Sequence, residues 1–357
     1  MSPIAVEVII FLIKAVLIIN GLLMSAAYLV YFERKISAWA QNRIGPNRVG
    51  PLGLFQSFAD VFKLYFKEDV VPKLADKRFH LIAPVISIGI AIGVYAVIPF
   101  GDSFTVNIGG AATKIWLAVT PHVNVGILFI LAMTSLGVYG ITLAGWSSNN
   151  KYSLLGGLRS AAQMISYELS MGLALISVLM MAGSLDLTEI VHKQAGGSWN
   201  VFFQPLAFII FLTASFAETN RTPFDLPEAE PELVGGYHTE YSSMKFGLFF
   251  LAEYINMVTA CAIMVILFFG GWNAPFLYEA LALPEGSPLL ALTQFGVMAA
   301  KMIPFLFFFI WVRWSVPRFR YDQLMSLGWK VMLPLALANI AITGVVMVIL
   351  KHFGIIS

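Results

Sequence analysis

Apolar residues in this chain gather into blocks of roughly 20, separated by short polar stretches. A block of that length, wound as a helix, crosses about 30 Å of hydrocarbon. Eight qualify: Ile4–Phe32, His80–Phe100, Thr120–Gly145, Leu158–Gly183, Val201–Ala217, Met244–Phe269, Leu289–Trp314 and Val331–Leu350. The pattern predicts an all-α polytopic membrane protein, a single transmembrane bundle over residues 1–357. The first block is long for one span and holds Lys14 and Asn20, so it is expected to tilt or to extend past the surface. It lacks the basic start and small-residue cleavage site of a signal peptide and is read as retained.

The polar stretches differ from one another. Within the segment 33–79, Gly45-Pro46-Asn47-Arg48-Val49-Gly50-Pro51 reads as a constrained turn carrying cations. Residues 53–68 continue at helical period: Phe55, Phe58, Phe62 and Phe66 share one face, and Gln56, Asp60, Lys63 and Lys67 a neighbouring one. This run is too charged to span and is predicted to lie along the interface as an amphipathic helix. Two readings stay open for it: a surface-lying connector, or one wall of a cavity for an amphiphilic ligand. The loop 218–243 carries six carboxylates and one arginine, Arg221, between Glu218 and Glu240. Pro223, Pro227 and Pro231 forbid a continuous helix there, and Gly235-Gly236 leave a hinge. The loop 315–330 is basic.

Composition agrees with the span pattern: 59% of residues are hydrophobic, 12% are charged, and the mean hydropathy is +0.81. The net charge of +2 says little, but its distribution sets an orientation. Seventeen lysines and arginines fall in the segments after spans one, three, five and seven, against Lys114, Lys193 and Lys351 on the other face. The basic face is therefore expected in the cytoplasm, with both termini outside. Cys261 stands alone, so no intrachain disulfide and no cysteine-held iron–sulfur centre is expected. Five scattered histidines show no metal spacing, and there is no phosphate loop or dinucleotide fingerprint. Any electrons travel in another polypeptide, with no metal or flavin expected in this one. Nothing points to a nucleic-acid partner; membrane lipid is one partner by composition.

Inside the spans, Glu168, Glu253 and Lys301 are conspicuous. A carboxylate in a dry bundle is expected to have a raised pKa and to exchange protons near neutral pH. With Glu218 nearby in the pattern, a hydrated proton path competes with static hydrogen-bonded acids. Lys301 either pairs with one of these acids or snorkels outward.

Two motifs carry a resemblance over nearly the whole length: Gly53-x-x-Gln56-x-x-x-Asp60-x-x-Lys63-x-x-x-Lys67-Glu68, and Pro223-Phe-Asp-Leu-Pro-Glu-Ala-Glu-Pro-Glu-Leu-Val-x-Gly236. Tyr31-Phe-Glu-Arg-Lys35, Ser148-Asn-Asn-Lys-Tyr152, Ile165-Ser-Tyr-Glu168 and Pro317-Arg-Phe-Arg-Tyr-Asp-Gln-Leu324 agree. In these the chain resembles the quinone-module membrane subunits of proton-pumping NADH–quinone oxidoreductase, respiratory complex I, counterparts of mitochondrial NADH dehydrogenase subunit 1.

The resemblance implies a subunit that joins the peripheral electron-transfer arm to the membrane arm and forms the membrane part of a quinone chamber. Its lining would include Glu33, Arg34, Arg43, Asp60 and Lys63, with Arg313, Arg318 and Asp322 facing the chamber or the docked arm. A chain of acids, Glu168, Glu218, Asp225, Glu228, Glu230, Glu232 and Glu253, would convert quinone charge into proton movement. Partners would be the peripheral quinone-site and iron–sulfur subunits and neighbouring small membrane subunits. Ubiquinone or menaquinone would be substrate. A bacterial cytoplasmic membrane is favoured over a mitochondrial inner membrane. Two alternatives remain at this stage: the homologous membrane subunit of energy-converting hydrogenases, and a stand-alone proton or ion transporter.

Overall fold

The computed structural model describes residues 3–354 except 109–110, 197, 227–229, 282 and 285. Its helices and strands in chain order are α1 (Pro3–Ala40), α2 (Gln56–Phe66), α3 (Lys77–Gly93), β1 (Ser103–Ile108), β2 (Ala111–Trp116), α4 (Gly126–Ser147), α5 (Lys151–Ala182), α6 (Leu187–Lys193), α7 (Asn200–Phe203), α8 (Pro205–Glu218), α9 (Glu230–Leu233), α10 (Ser243–Phe268), α11 (Pro275–Ala280), α12 (Pro288–Ser315), α13 (Tyr321–Ser326) and α14 (Leu333–His352). A π-helical turn, Leu327–Met332, joins the last two into one long rod. Seven helices among the described residues are long and apolar enough to cross a membrane.

The fifth expected span is shorter than predicted. The apolar block from Val201 breaks at Gln204, whose extended-side backbone (φ −129°, ψ 53°) precedes Pro205. The helix beyond this break has 14 residues and is about 21 Å long. A broken backbone at membrane depth needs protein partners. Here the Gln204 backbone keeps its partners, Asn200 O at 2.8 Å and Phe208 N at 3.1 Å, and its side-chain amide ties the break to α14, donating to Thr343 Oγ1 at 2.8 Å and accepting from Asn339 Nδ2 at 2.9 Å.

The first helix exceeds a single-span length, as its long apolar block leads one to expect. Its 38 residues make a rod of about 57 Å, continuing through Glu33 to Ala40. The centre of the bundle is α10, whose residues from Ala260 to Phe268 are all buried. Helices α1, α2, α3, α6, α8 and α12 all pack on it. The antiparallel β1–β2 hairpin between α3 and α4, with Ser103 paired to Trp116, was not anticipated from the sequence.

Candidate functional site

The amphipathic helix is held against α1 by specific contacts. Ser57 Oγ donates to Ala27 O at 2.6 Å, and Tyr31 donates its hydroxyl to Leu52 O at 2.8 Å. The approach needs Gly53: at φ +82°, a Cβ there would lie 2.2 Å from Pro46 O. Docking places Arg34 Nη1 2.5 Å from Asp60 Oδ2, while Gln56 donates to the other Asp60 oxygen at 3.2 Å. Phe58 meets Tyr28 edge-on at 6.5 Å, while Phe62 and Phe66 are exposed. Lys63 and Arg43 are also exposed. Glu33, Arg34 and Asp60 are thus brought to one corner. Asp322 stays at the surface, paired with Arg320 at 3.3 Å.

A buried charge cluster lies beside that corner. Arg221, 3% exposed, donates from Nη1 to Glu33 Oε2 at 3.0 Å, and its Nε lies 2.5 Å from Glu253 Oε1. Its guanidinium sits 4.3 Å from the Tyr254 ring centroid, and Tyr254 donates its hydroxyl to Glu33 at 2.7 Å. Arg313 closes the other side of Glu33 at 2.6 Å. Burial works against the Arg221 charge, but the carboxylates of Glu253 and Glu33 outweigh it and keep the guanidinium protonated. Two carboxylates therefore share two guanidiniums where water is scarce. Removing one partner of such a buried set costs about 3–5 kcal/mol.

The acidic loop begins inside the bundle. Its opening stretch, Thr219 to Leu226, is buried inside the protein. Gln163 on α5 pins it, donating to Ala217 O and Phe224 O at 2.8 Å each. Phe319 donates its backbone N–H to Pro223 O at 3.1 Å. Arg318 Nη2 meets Asp225 Oδ2 at 2.8 Å. Burial still raises the Asp225 carboxyl above its usual value, overriding Arg318, Arg313 and Arg221. At the other end of the loop, Gly236 and Tyr237 lie on α5, where a Cβ on Gly156 would come within 2.8 Å of their backbone.

Glu218 lies between two small cavities. One, of about 30 Å³, is lined by Thr134, Glu218, Asn256 and Thr259 among apolar neighbours. The other, of about 50 Å³, is shared by Glu218, Asn220, Glu253 and Asn256. Either volume accommodates water, and each presents polar partners for it. Glu168 contacts Ser135 and lies close enough for its charge to act on Glu218. Glu232 is separate from this set, exposed and paired with Arg159 at 2.7 Å. Glu228 and the side chain of Glu230 lie outside the described residues.

Lys301 follows neither sequence expectation. Its ammonium donates to Phe269 O and Asn273 O at 2.8 Å each, closing the end of α10. The main residue that sequence reasoning passed over is Arg221. It was visible only as the one base among six acids.

A polytopic helical membrane protein with an ionised, water-sized polar interior is the class these features define. Comparison with known proteins then gives the family. Residues 13–344 match the family model described as NADH dehydrogenase, and the chain belongs to that family. It is 56% identical over 333 residues to "NADH-quinone oxidoreductase subunit 8" of Rhodothermus marinus, covering 91% of this chain and 94% of that one. It is 54% identical over 348 residues to an NADH-quinone oxidoreductase subunit of Salinibacter ruber, covering 96% and 97%. A third relative, an NADH-quinone oxidoreductase subunit of Geobacter metallireducens, is 52% identical over 342 residues, 94% of each chain.

Proposed function

We infer that this chain is the quinone-module membrane subunit of a proton-translocating NADH–quinone oxidoreductase. The relatives are named as quinone oxidoreductase subunits, which favours this reading over the hydrogenase one. In this reading Glu33, Arg34, Arg43, Asp60, Lys63, Arg313, Arg318 and Asp322 belong to the membrane part of the quinone chamber or to the surface where the peripheral arm docks. The exposed Arg43, Lys63 and Asp322 remain available to such a neighbour. The electrons arrive from iron–sulfur subunits of that arm. Small membrane subunits flank the bundle in a bacterial cytoplasmic membrane, with both termini periplasmic.

The observation that carries the coupling role is Arg221. One guanidinium touches Glu33, which Arg313 also holds, and Glu253, which lines the cavity leading to Glu218. A quinone that takes two electrons is negative until two protons complete the quinol. Negative charge beside Glu33 draws Arg221 and Arg313 toward it and weakens the hold of Arg221 on Glu253. Glu253 then binds a proton more readily, and the cavity water passes the demand to Glu218 and Glu168. Charge on the substrate is thereby converted into proton uptake deeper in the bundle. The loop 218–243 would shift between two arrangements as Arg221 changes partners.

Glu218→Gln in the assembled complex tests this reading. It keeps the side chain's size and removes its proton exchange. Quinone-coupled turnover is expected to fall while the complex assembles normally. Unchanged turnover, or loss of the whole complex, would count against a proton-handling role.

A further inference from the structure

A groove of about 750 Å³ runs along α1, between it and α12. It extends from Ile10 to Phe32, about 33 Å, with residues 295–306 of α12 as its opposite wall. Its lining is apolar apart from Lys14, Ser25, Tyr28 and the indole N–H of Trp116. The end of β2 and the residues after it, Ile115 to Ala118, close the groove at the hairpin side. A space of this size with so few polar groups is not filled by water.

One cation, Lys14, lines the closed end, and a second, Lys114, stands beside it against Trp116. Lys14 Nζ donates to Ala118 O at 2.9 Å, which leaves it further donors. Lys114 Nζ lies 4.5 Å from the Trp116 ring centroid. Neither has a carboxylate partner among the described residues, whereas Lys193 on the same side of the bundle is paired with Glu189 at 2.9 Å. Glu7 lies beyond the end of the groove, on the exposed face of α1. A tryptophan beside unpaired lysines is the composition of a membrane–water interface. An apolar slot headed by two such cations is complementary to an amphiphile with an anionic head.

We propose that this groove binds an anionic phospholipid from the leaflet on the hairpin side, its phosphate held by Lys14 and Lys114 and an acyl chain lying between α1 and α12. From Lys14 to Ser25 the helix rises about 16 Å, half the hydrocarbon thickness and the depth one leaflet's chain reaches. The lipid would complete the hydrocarbon face of a helix whose residues Phe11 to Leu17 are largely exposed. The phosphate end, at Lys14, lies about 21 Å along α1 from Tyr28, where the groove meets Phe58 of the interfacial helix, so the lipid head does not rest on the quinone reading.

The test uses the whole complex with a benzophenone side chain in place of Leu17 or, separately, Ile303, both exposed in the groove wall. Photolysis in nanodiscs of equal phosphatidylglycerol and phosphatidylcholine is expected to give adducts enriched severalfold in phosphatidylglycerol. Lys14→Gln with Lys114→Gln should lower that adduct about tenfold. Equal labelling by the two lipids would overturn the proposal. So would an adduct to a neighbouring polypeptide or to a long-tailed quinone. The lipid comparison needs no lysine variant, so a folding defect in the double variant would not obscure the answer.

Discussion

Arg221 makes contacts that its place in the sequence does not reveal. Its partners stand at positions 33, 253 and 254, and the two carboxylates among them come from the first long helix and the central one. Replacing it with Met keeps much of the volume but leaves Glu33 and Glu253 facing each other's charge. Arg221→Met is therefore expected to cost about 3–5 kcal/mol unless both acids take up protons. A lowered melting temperature of the complex that partly recovers at acidic pH is the expected readout; an unchanged one would show that the cluster is not a paired buried set. A second residue-scale pair tests electrostatics away from the coupling path. Asp102 accepts from His192 Nε2 at 3.0 Å, Trp272 Nε1 at 3.2 Å and Gln294 Nε2 at 3.3 Å. Burial pushes Asp102 upward, but the hydrogen bond and charge of His192, with Trp272 and Gln294, outweigh it and hold it low. The same hydrogen bond raises His192. A raised histidine stabilises below its unfolded pKa and loses that contribution as pH rises through the folded value. A lowered aspartate stabilises above its unfolded pKa and loses it as pH falls through the folded value. The contribution is therefore largest between the unfolded aspartate and unfolded histidine values and fades beyond them toward the folded ones. Half of the His192 side chain is exposed, so it is worth about 0.2–1 kcal/mol. His192→Gln should flatten the fall in thermal stability above neutral pH; an unaltered pH profile would contradict the pairing.

Elements were legible where one physical signal dominated. Seven spans follow from unbroken apolar length, and the interfacial helix follows from its Phe stripe set against Asp60 and Lys63. The short α8 was partly legible, since Pro205 after a polar residue is a recognised break. Its satisfaction by Asn339 and Thr343 was not, because those partners come from the last helix. The hairpin escaped notice because its strands are only six residues each, between two spans that commanded attention. For the candidate site, residue types were readable but distances were not. Glu168, Glu218 and Glu253 could be picked as expensive acids in or beside the spans, and Glu33 came only through the resemblance. Nothing in their spacing announced that Arg221 joins Glu33 to Glu253, or that Glu232 pairs outward with Arg159. The interfacial helix carries its own prediction. Asp60→Ala removes the carboxylate that Arg34 and Gln56 share, and Lys63→Ala removes an exposed cation on the same helix. Either change should raise the apparent quinone KM or lower turnover. Identical kinetics with short- and long-tailed quinones would argue against a chamber wall.

At the scale of the whole molecule, a long first helix and a buried central helix bring one corner and one interior together. The corner holds Arg34, Asp60 and Glu33; the interior holds Glu253, Glu218 and Glu168. Arg221 is shared between them, and two cavities carry the polar line onward. This arrangement has consequences only if carboxyl protonation changes when the substrate's charge changes. Infrared difference spectroscopy of the intact complex, recorded as quinone is reduced, measures that directly. The expected result is a protonated-carboxyl band that appears on reduction and is lost or reduced in Glu218→Gln, with turnover falling in parallel. A spectrum with no carboxyl change, or one identical in wild type and Glu218→Gln, would contradict charge-driven proton uptake in the bundle.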